Sequence, residues 1–318
     1  MLYDSDEVRL LSRYILEKSG FSEDKSSFVE KDVWLSLILK YLYAKPSARK
    51  HLVFKGGTCL VKCYFGHFRF SEDLDFTWVG PVSSKKSNRR QWEKEFIEPL
   101  KKDFGFGVED SVSIRGGVRH SHSGKILNYF LMAPPVGGRG ELKLKLTVSF
   151  GELVGFPLSQ RVVNPVALAG GILADAFSLF GNSASDYFSS FEALCYSERE
   201  IACEKMRAIL TRKEKLNRSR DIVDLMHLSK VVDLRKSTIC PECVSKISRS
   251  VSVKAWGDVF EARKSVLDEY LSNTVAYALN ESVYVEPLDR KKLQDFTQNV
   301  LRPVLVDLIS ALDSKADK

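Results

Sequence analysis

One pairing constrains this chain more than any other feature: a strand that turns through two glycines into a helix, followed by a strand bearing two aspartates. Leu52-Val53-Phe54 is a short apolar run leading to Gly56-Gly57, and Thr58 to Phe65 has the spacing of a helix. Such a turn places unobstructed backbone N–H groups at a helix start, where anions bind readily. Glycine is needed there because a side chain would block close approach to the backbone. Taken alone, Gly-Gly-Thr reads equally well as a plain turn. In the next strand Leu74, Phe76 and Trp78 alternate with Asp73, Asp75 and Thr77, the period of a half-buried strand. Two apart on that strand, Asp73 and Asp75 project from one face and can share Mg²⁺, which carries a nucleoside triphosphate (NTP). As merely solvated acids they are poorly placed, since like charges repel and Asp is disfavoured in strands. Glycines for phosphate and a strand-borne Asp-x-Asp for metal together predict nucleotide chemistry.

Around this pairing the chain changes character along its length. Residues 28–44 carry apolar side chains at helical spacing and stop before Pro46. A basic, charged helix is expected near 87–102, and two further strands at roughly 125–132 and 141–150. In the second, Leu142, Leu144, Leu146, Val148 and Phe150 share one face, and Lys143, Lys145, Thr147 and Ser149 the other. The Gly- and Pro-bearing segment 133–140 reads as a hairpin loop between them. Beyond about residue 165 the pattern turns helical. Ser197-Glu198-Arg199-Glu200 is a capping-box signature opening a helix to about Lys213. Another begins near Arg220-Asp221, and more are expected over 255–279 and 289–312, with Pro303 starting or kinking the last stretch. The expected class is α+β: a core with a small mixed sheet and helices over residues 1–160, then a helical domain over 161–318.

Composition sets the outer limits. A chain of 318 residues, 44% hydrophobic and 28% charged, has ample material for a core and is not a disordered sequence. No apolar run reaches the roughly 18–20 residues that cross a bilayer. The start Met1-Leu2-Tyr3-Asp4-Ser5-Asp6-Glu7 is acidic and unlike a signal peptide. A cytoplasmic protein with no membrane partner is expected, its six cysteines reduced. Cys240-Pro241-Glu242-Cys243 supplies only two of the four ligands a structural zinc needs, and reads as two free thiols. The net charge of +7 permits a polyanionic partner without proving one. Lys85, Lys86, Arg89, Arg90 and Lys94 form one basic cluster, and Arg212, Lys213, Lys215, Arg218 and Arg220 another. Solvated faces and nucleic-acid contacts both fit these clusters. His120 and His122, expected in a loop, make an incomplete metal set. No Gly-x-Ser-x-Gly occurs, so a serine-hydrolase elbow is excluded.

Phe54-Lys55-Gly56-Gly57-Thr58-Cys59-Leu60-Val61-Lys62, followed by Arg69-Phe70-Ser71-Glu72-Asp73-Leu74-Asp75-Phe76, resembles the signature of the AbiEii/AbiGii-type toxins. That family belongs to the nucleotidyltransferase superfamily, which shares the fold of DNA polymerase β. Val29-Glu30-Lys31-Asp32 resembles the family's first helix. Glu204-Lys205-Met206 and Arg220-Asp221-Ile222-Val223-Asp224-Leu225 resemble its C-terminal motifs, so the likeness runs over residues 28–230. It implies a polymerase-β-like core whose active-site cleft also draws on the helical domain. It implies that Gly56, Gly57, Thr58 and Lys62 bind the nucleotide, that Asp73 and Asp75 hold Mg²⁺, that Lys205 contacts the phosphates and that Asp221 completes the catalytic set. From the residues alone, Lys205 reads equally as a snorkelling surface lysine and Asp221 as a helix N-cap. The resemblance further implies a toxin restrained by an antitoxin, moving NMP from an NTP to RNA at tRNA 3′ ends. Transfer to a protein or small molecule, and a binding protein without turnover, are the alternatives. One position departs from the pattern: Thr147 stands where a third carboxylate is expected from the neighbouring strand, which makes Asp221 the expected replacement.

Overall fold

The computed structural model describes residues 2–81, 85–109, 118–121, 125–133, 142–168, 170–213, 219–279 and 281–316. Residues 134–140 of the expected hairpin loop, His122, Lys215 and Arg218 lie outside these, as do the side chains of His120, Lys85 and Lys86. The chain divides into two compact units, Met1–Glu152 with Ser159–Cys195, and Leu153–Leu158 with Tyr196–Lys318.

The first unit is built on a mixed sheet of β1 (Leu52–Lys55), β2 (Asp73–Trp78), β3 (Gly107–Val108), β4 (Val118–Ser121), β5 (Ile126–Ala133), β6 (Leu142–Phe150), β7 (Ser159–Val163) and β8 (Phe191–Cys195). The order is β3-β5-β6-β2-β1-β8-β7, with β4 paired to β5. The two motif strands sit at its centre: β2 runs antiparallel to β1 and parallel to β6, and β1 runs parallel to β8. The alternation in β2 has the expected cause. Leu74 and Phe76 are fully buried, and the Phe76 ring lies 5.5 Å from Phe54 and 6.4 Å from Tyr43. Tyr43 ends the helix Ser26–Tyr43, which is apolar nearly all round because it is covered on several sides. It packs on β6 and β8 and against the helices Ser5–Ser19 and Gly170–Phe188. Its Val33, Leu37, Leu39 and Leu42 are fully buried, each stabilising the fold by roughly 1.5–3 kcal/mol.

The first unit extends past the expected boundary at residue 160, because β7 and β8 complete its sheet and the helix between them packs on its N-terminal helices. Residues 153–158 join the second unit instead: the Gly155 and Phe156 amides each donate to Glu200, both at 2.8 Å. His120 lies in β4 rather than in a loop.

The second unit is helical, as expected. Ser197 caps the helix Glu198–Thr211, its Oγ accepting from the Glu200 amide at 3.4 Å. The stretch 255–279 divides into Lys254–Ser265 and Leu267–Ala278. Residues 289–312 form Arg290–Phe296, a π turn over Thr297–Leu301, and Arg302–Ala316, with Pro303 in the first turn of the last, where its missing N–H costs little. Cys243 is not the free thiol its Cys-x-x-Cys context predicts. It is bonded to Cys203 with the Cα atoms 5.7 Å apart, because the helix Pro241–Val251 packs on Glu198–Thr211; Cys240 remains free. Among the described residues no helix is long and apolar enough to cross a membrane.

Candidate active site

Asp73 and Asp75 project from one face of β2, and the strand register supplies their neighbours. Asp75 lies opposite Lys55 on β1 and Thr147 on β6; Asp73 lies opposite Lys145. The Lys145 ammonium approaches an Asp73 oxygen to 2.8 Å. Burial raises the Asp73 carboxyl above its ordinary pKa, with Lys145 opposing the shift and the Asp75 charge adding to it. Two partly buried carboxylates that repel each other and already draw in an ammonium form a donor set fitted to a hard divalent cation. Thr147 does occupy the β6 position beside Asp75, and its hydroxyl donates to Asn128 Oδ1 at 3.1 Å. A further carboxylate nearby escaped the sequence reading. Glu152 follows β6 after a left-handed turn at Gly151 (φ 68°). It pairs with Lys55 and accepts from Thr77 at 2.9 Å. An acid just beyond the end of a predicted strand was the available signal, but the turn that brings it back is not visible in the strand's period.

The glycine turn and the aspartates meet in space. Gly56 has φ +79°, and a Cβ there would stand 2.6 Å from Asp75 Oδ2; at Gly57 it would stand 2.3 Å from the Arg69 guanidinium. The glycines therefore admit Asp75 and Arg69 to the backbone at the start of the helix Gly56–Leu60. Gly56→Ala is expected to lower the unfolding free energy by at least about 1–2 kcal/mol, from the left-handed backbone alone, with displacement of Asp75 in addition. Urea unfolding measures it. Thr58 is buried, with its hydroxyl against Ser71 Oγ at 2.8 Å and the Asp73 carbonyl, so it braces the turn to β2.

Lys62 lies in the core. Four residues after Thr58 on the same inward face, its Nζ lies 2.7 Å from Asp32 Oδ1 and 2.8 Å from Ser36 Oγ, wholly buried. Tyr187 donates to the other Asp32 oxygen at 2.9 Å, and His67 stands 3.4 Å from the first. Burial works against the Asp32 charge, but Lys62 and His67 overcome it and hold the carboxyl well below the usual range. The Lys62 ammonium is thus paired within the core between helices.

In the second unit Lys205 and Asp221 come together. Lys205 Nζ lies 2.7 Å from Asp221 Oδ1 and 2.6 Å from Asp224 Oδ2, so both acids of one helix face grip one ammonium. Asp221 is the third residue of the helix Ser219–Leu228, buried, and does not act as its N-cap. Lys205→Met is expected to cost about 3–5 kcal/mol by removing the ammonium that two buried carboxylates share. A denaturation midpoint unchanged from wild type would disprove the pairing. Among the basic clusters, Arg89 pairs with Glu93 at 2.8 Å and Arg220 with Glu281 at 2.7 Å, so part of that charge is neutralised locally.

The model of the nucleotidyl transferase AbiEii toxins, of type IV toxin–antitoxin systems, matches residues 38–305. The chain belongs to this family. The match carries the likeness well past residue 230, into the final helices. Among solved structures, MenT4, a nucleotidyltransferase toxin from Mycobacterium tuberculosis H37Rv, aligns with a TM-score of 0.47 at 18% identity, covering 96% of this chain and 98% of its own. JHP933 from Helicobacter pylori aligns with a TM-score of 0.47 at 16% identity, covering 93% and 97%. No curated protein matches the chain in sequence. Membership in the AbiEii family makes the chain a nucleotidyltransferase of a toxin–antitoxin family, which implies an NTP substrate and a cognate antitoxin.

Proposed function

We propose that this AbiEii-family enzyme is Mg²⁺-dependent and transfers NMP from an NTP to an RNA 3′ end, with tRNA as acceptor. The observation that carries the reading is the contact between the two motifs: the glycine turn admits Asp75 to within van der Waals reach of its backbone. Asp73 and Asp75 are the residues that would hold the metal. Mg²⁺ bound there supplies charge neutralisation and alignment of the α-phosphate for in-line attack. The backbone N–H groups opening the helix Gly56–Leu60 receive phosphate oxygens, and Lys145 keeps a positive charge on the same sheet face for the anionic substrate. The net charge of +7 suits a polyanionic acceptor.

The test is incubation of the full chain with each α-labelled NTP, Mg²⁺ and total RNA. Label is expected at tRNA 3′ ends from at least one NTP, weakening as salt rises. Label in protein alone would overturn the RNA reading. Thr147 beside Asp75 favours one further reading, nucleotide binding without turnover; NTP binding with no label from any NTP supports it.

A further inference from the structure

Three cysteines that the transfer chemistry does not use converge in the first unit. Cys59 lies on the helix Gly56–Leu60, Cys63 one turn later within Val61–Phe65, and Cys195 ends β8 opposite Phe54 of β1. Their sulfurs all lie within 4.8 Å of one another, with Cys195 to Cys63 at 3.9 Å. Cys59 and Cys195 are fully buried and Cys63 half-buried. A metal ion bonded to three thiolates at about 2.3 Å spaces the sulfurs at about 4.0 Å in a plane and slightly less at a tetrahedral corner. Small side-chain rotations bring the observed triangle to either. A disulfide would use two of the sulfurs and leave the third stranded, whereas this arrangement keeps all three near one point. The surroundings suit an anionic centre. The cationic side chains of Lys62 and Arg161 act on Cys63 through their charge. Arg161 is positioned over the Tyr64 ring at 4.6 Å.

We propose that Cys59, Cys63 and Cys195 form a binding site for a thiophilic d¹⁰ metal ion, Zn²⁺ or Cu⁺. Among the described residues no fourth Cys, His, Asp or Glu joins the cluster. Zn²⁺ therefore takes a water as fourth ligand on the half-buried Cys63 side, whereas Cu⁺ is complete with three. Binding releases three thiol protons to solvent and leaves three metal–sulfur bonds, with no change of oxidation state. It ties the helix that bears Gly56-Gly57-Thr58 to β8, so metal is expected to raise the thermal midpoint by mass action.

The test uses the full chain, purified reduced and stripped of metal. Zn²⁺ and Cu⁺ are titrated separately against a chromophoric chelator, and whichever ion binds at one equivalent with an apparent Kd on the order of 10⁻⁷ M or tighter is the ligand. Cys63→Ser and Cys195→Ser are expected to weaken it more than the ~10–100-fold of an outer-shell loss, and Cys240→Ser to leave it unchanged. Should either serine variant fold poorly, Co²⁺-loaded wild type reports directly through its sulfur-to-cobalt charge-transfer bands. Tight binding by neither ion, or binding insensitive to Cys63→Ser in a folded variant, overturns the proposal, and where Zn²⁺ is the ion that binds, absence of the cobalt bands overturns it as well.

Discussion

Asp75→Asn is expected to lower nucleotide transfer by on the order of 10³-fold or more while leaving the fold intact. The amide has nearly the shape of the carboxylate, so the close packing against Gly56 survives. What is lost is one of two anionic oxygen donors for the cation, a contribution of several kcal/mol at about 1.4 kcal/mol per decade of rate. Asp73→Asn should behave alike, since the amide oxygen can still accept from Lys145. Stability should move the other way. Burial and the Asp75 charge push the Asp73 carboxyl pKa up, so its ionised form costs the fold free energy at neutral pH, and that cost vanishes as pH falls through the raised value. Removing one charge of the pair is therefore expected to hold or raise the metal-free urea midpoint. Activity within tenfold of wild type would remove the carboxylate pair from the metal site. A fall in activity matched by a fall in stability would assign the effect to folding.

Lys62→Met is expected to destabilise the protein by about 3–5 kcal/mol, because Asp32 is left ionised, fully buried and without its main counter-charge. At the usual proportion this lowers the thermal midpoint by roughly 10 °C. His67 and Tyr187 still contact Asp32 and soften the loss. The double variant Asp32→Asn with Lys62→Met should recover much of it, since no uncompensated charge remains. The pair also has a definite pH signature. The Asp32 carboxyl is held below its ordinary range, so the stabilisation is fully present above about pH 4 and is lost as pH falls below that toward the folded value. Lys62→Met should accordingly flatten the acid limb of the stability curve. If instead Lys62→Met leaves stability unchanged and raises only the KM for NTP, the lysine serves the nucleotide and not the core.

Much of the core was legible in local pattern. The alternation of Leu74, Phe76 and Trp78 with Asp73, Asp75 and Thr77 located β2 to within a residue, and the strict alternation over 141–150 located β6. The Ser197 capping box marked its helix because a cap is a contact between near neighbours. By contrast β7 and β8, with the sequences Ser-Gln-Arg-Val-Val and Phe-Glu-Ala-Leu-Cys, carry no clean alternation. They are strands because the edge of β1 offers unpaired backbone to β8, and β8 offers its own to β7. That distant pairing is why the first unit reaches Cys195 and does not stop near residue 160.

The sequence by itself determined which residues could share a site: residue type and spacing are covalent facts, and two carboxylates two apart on a strand share a face in any fold that keeps the strand. Only the tertiary structure decided which charges are available. Lys62 and Lys205 look alike in the chain, as basic residues amid apolar neighbours, yet one is sealed against Asp32 and the other is gripped by Asp221 and Asp224. Glu152 reaches Lys55 across 97 residues, and Cys195 reaches Cys63 across 132. Such partners are set by how strands and helices stack, and local periodicity holds no record of them.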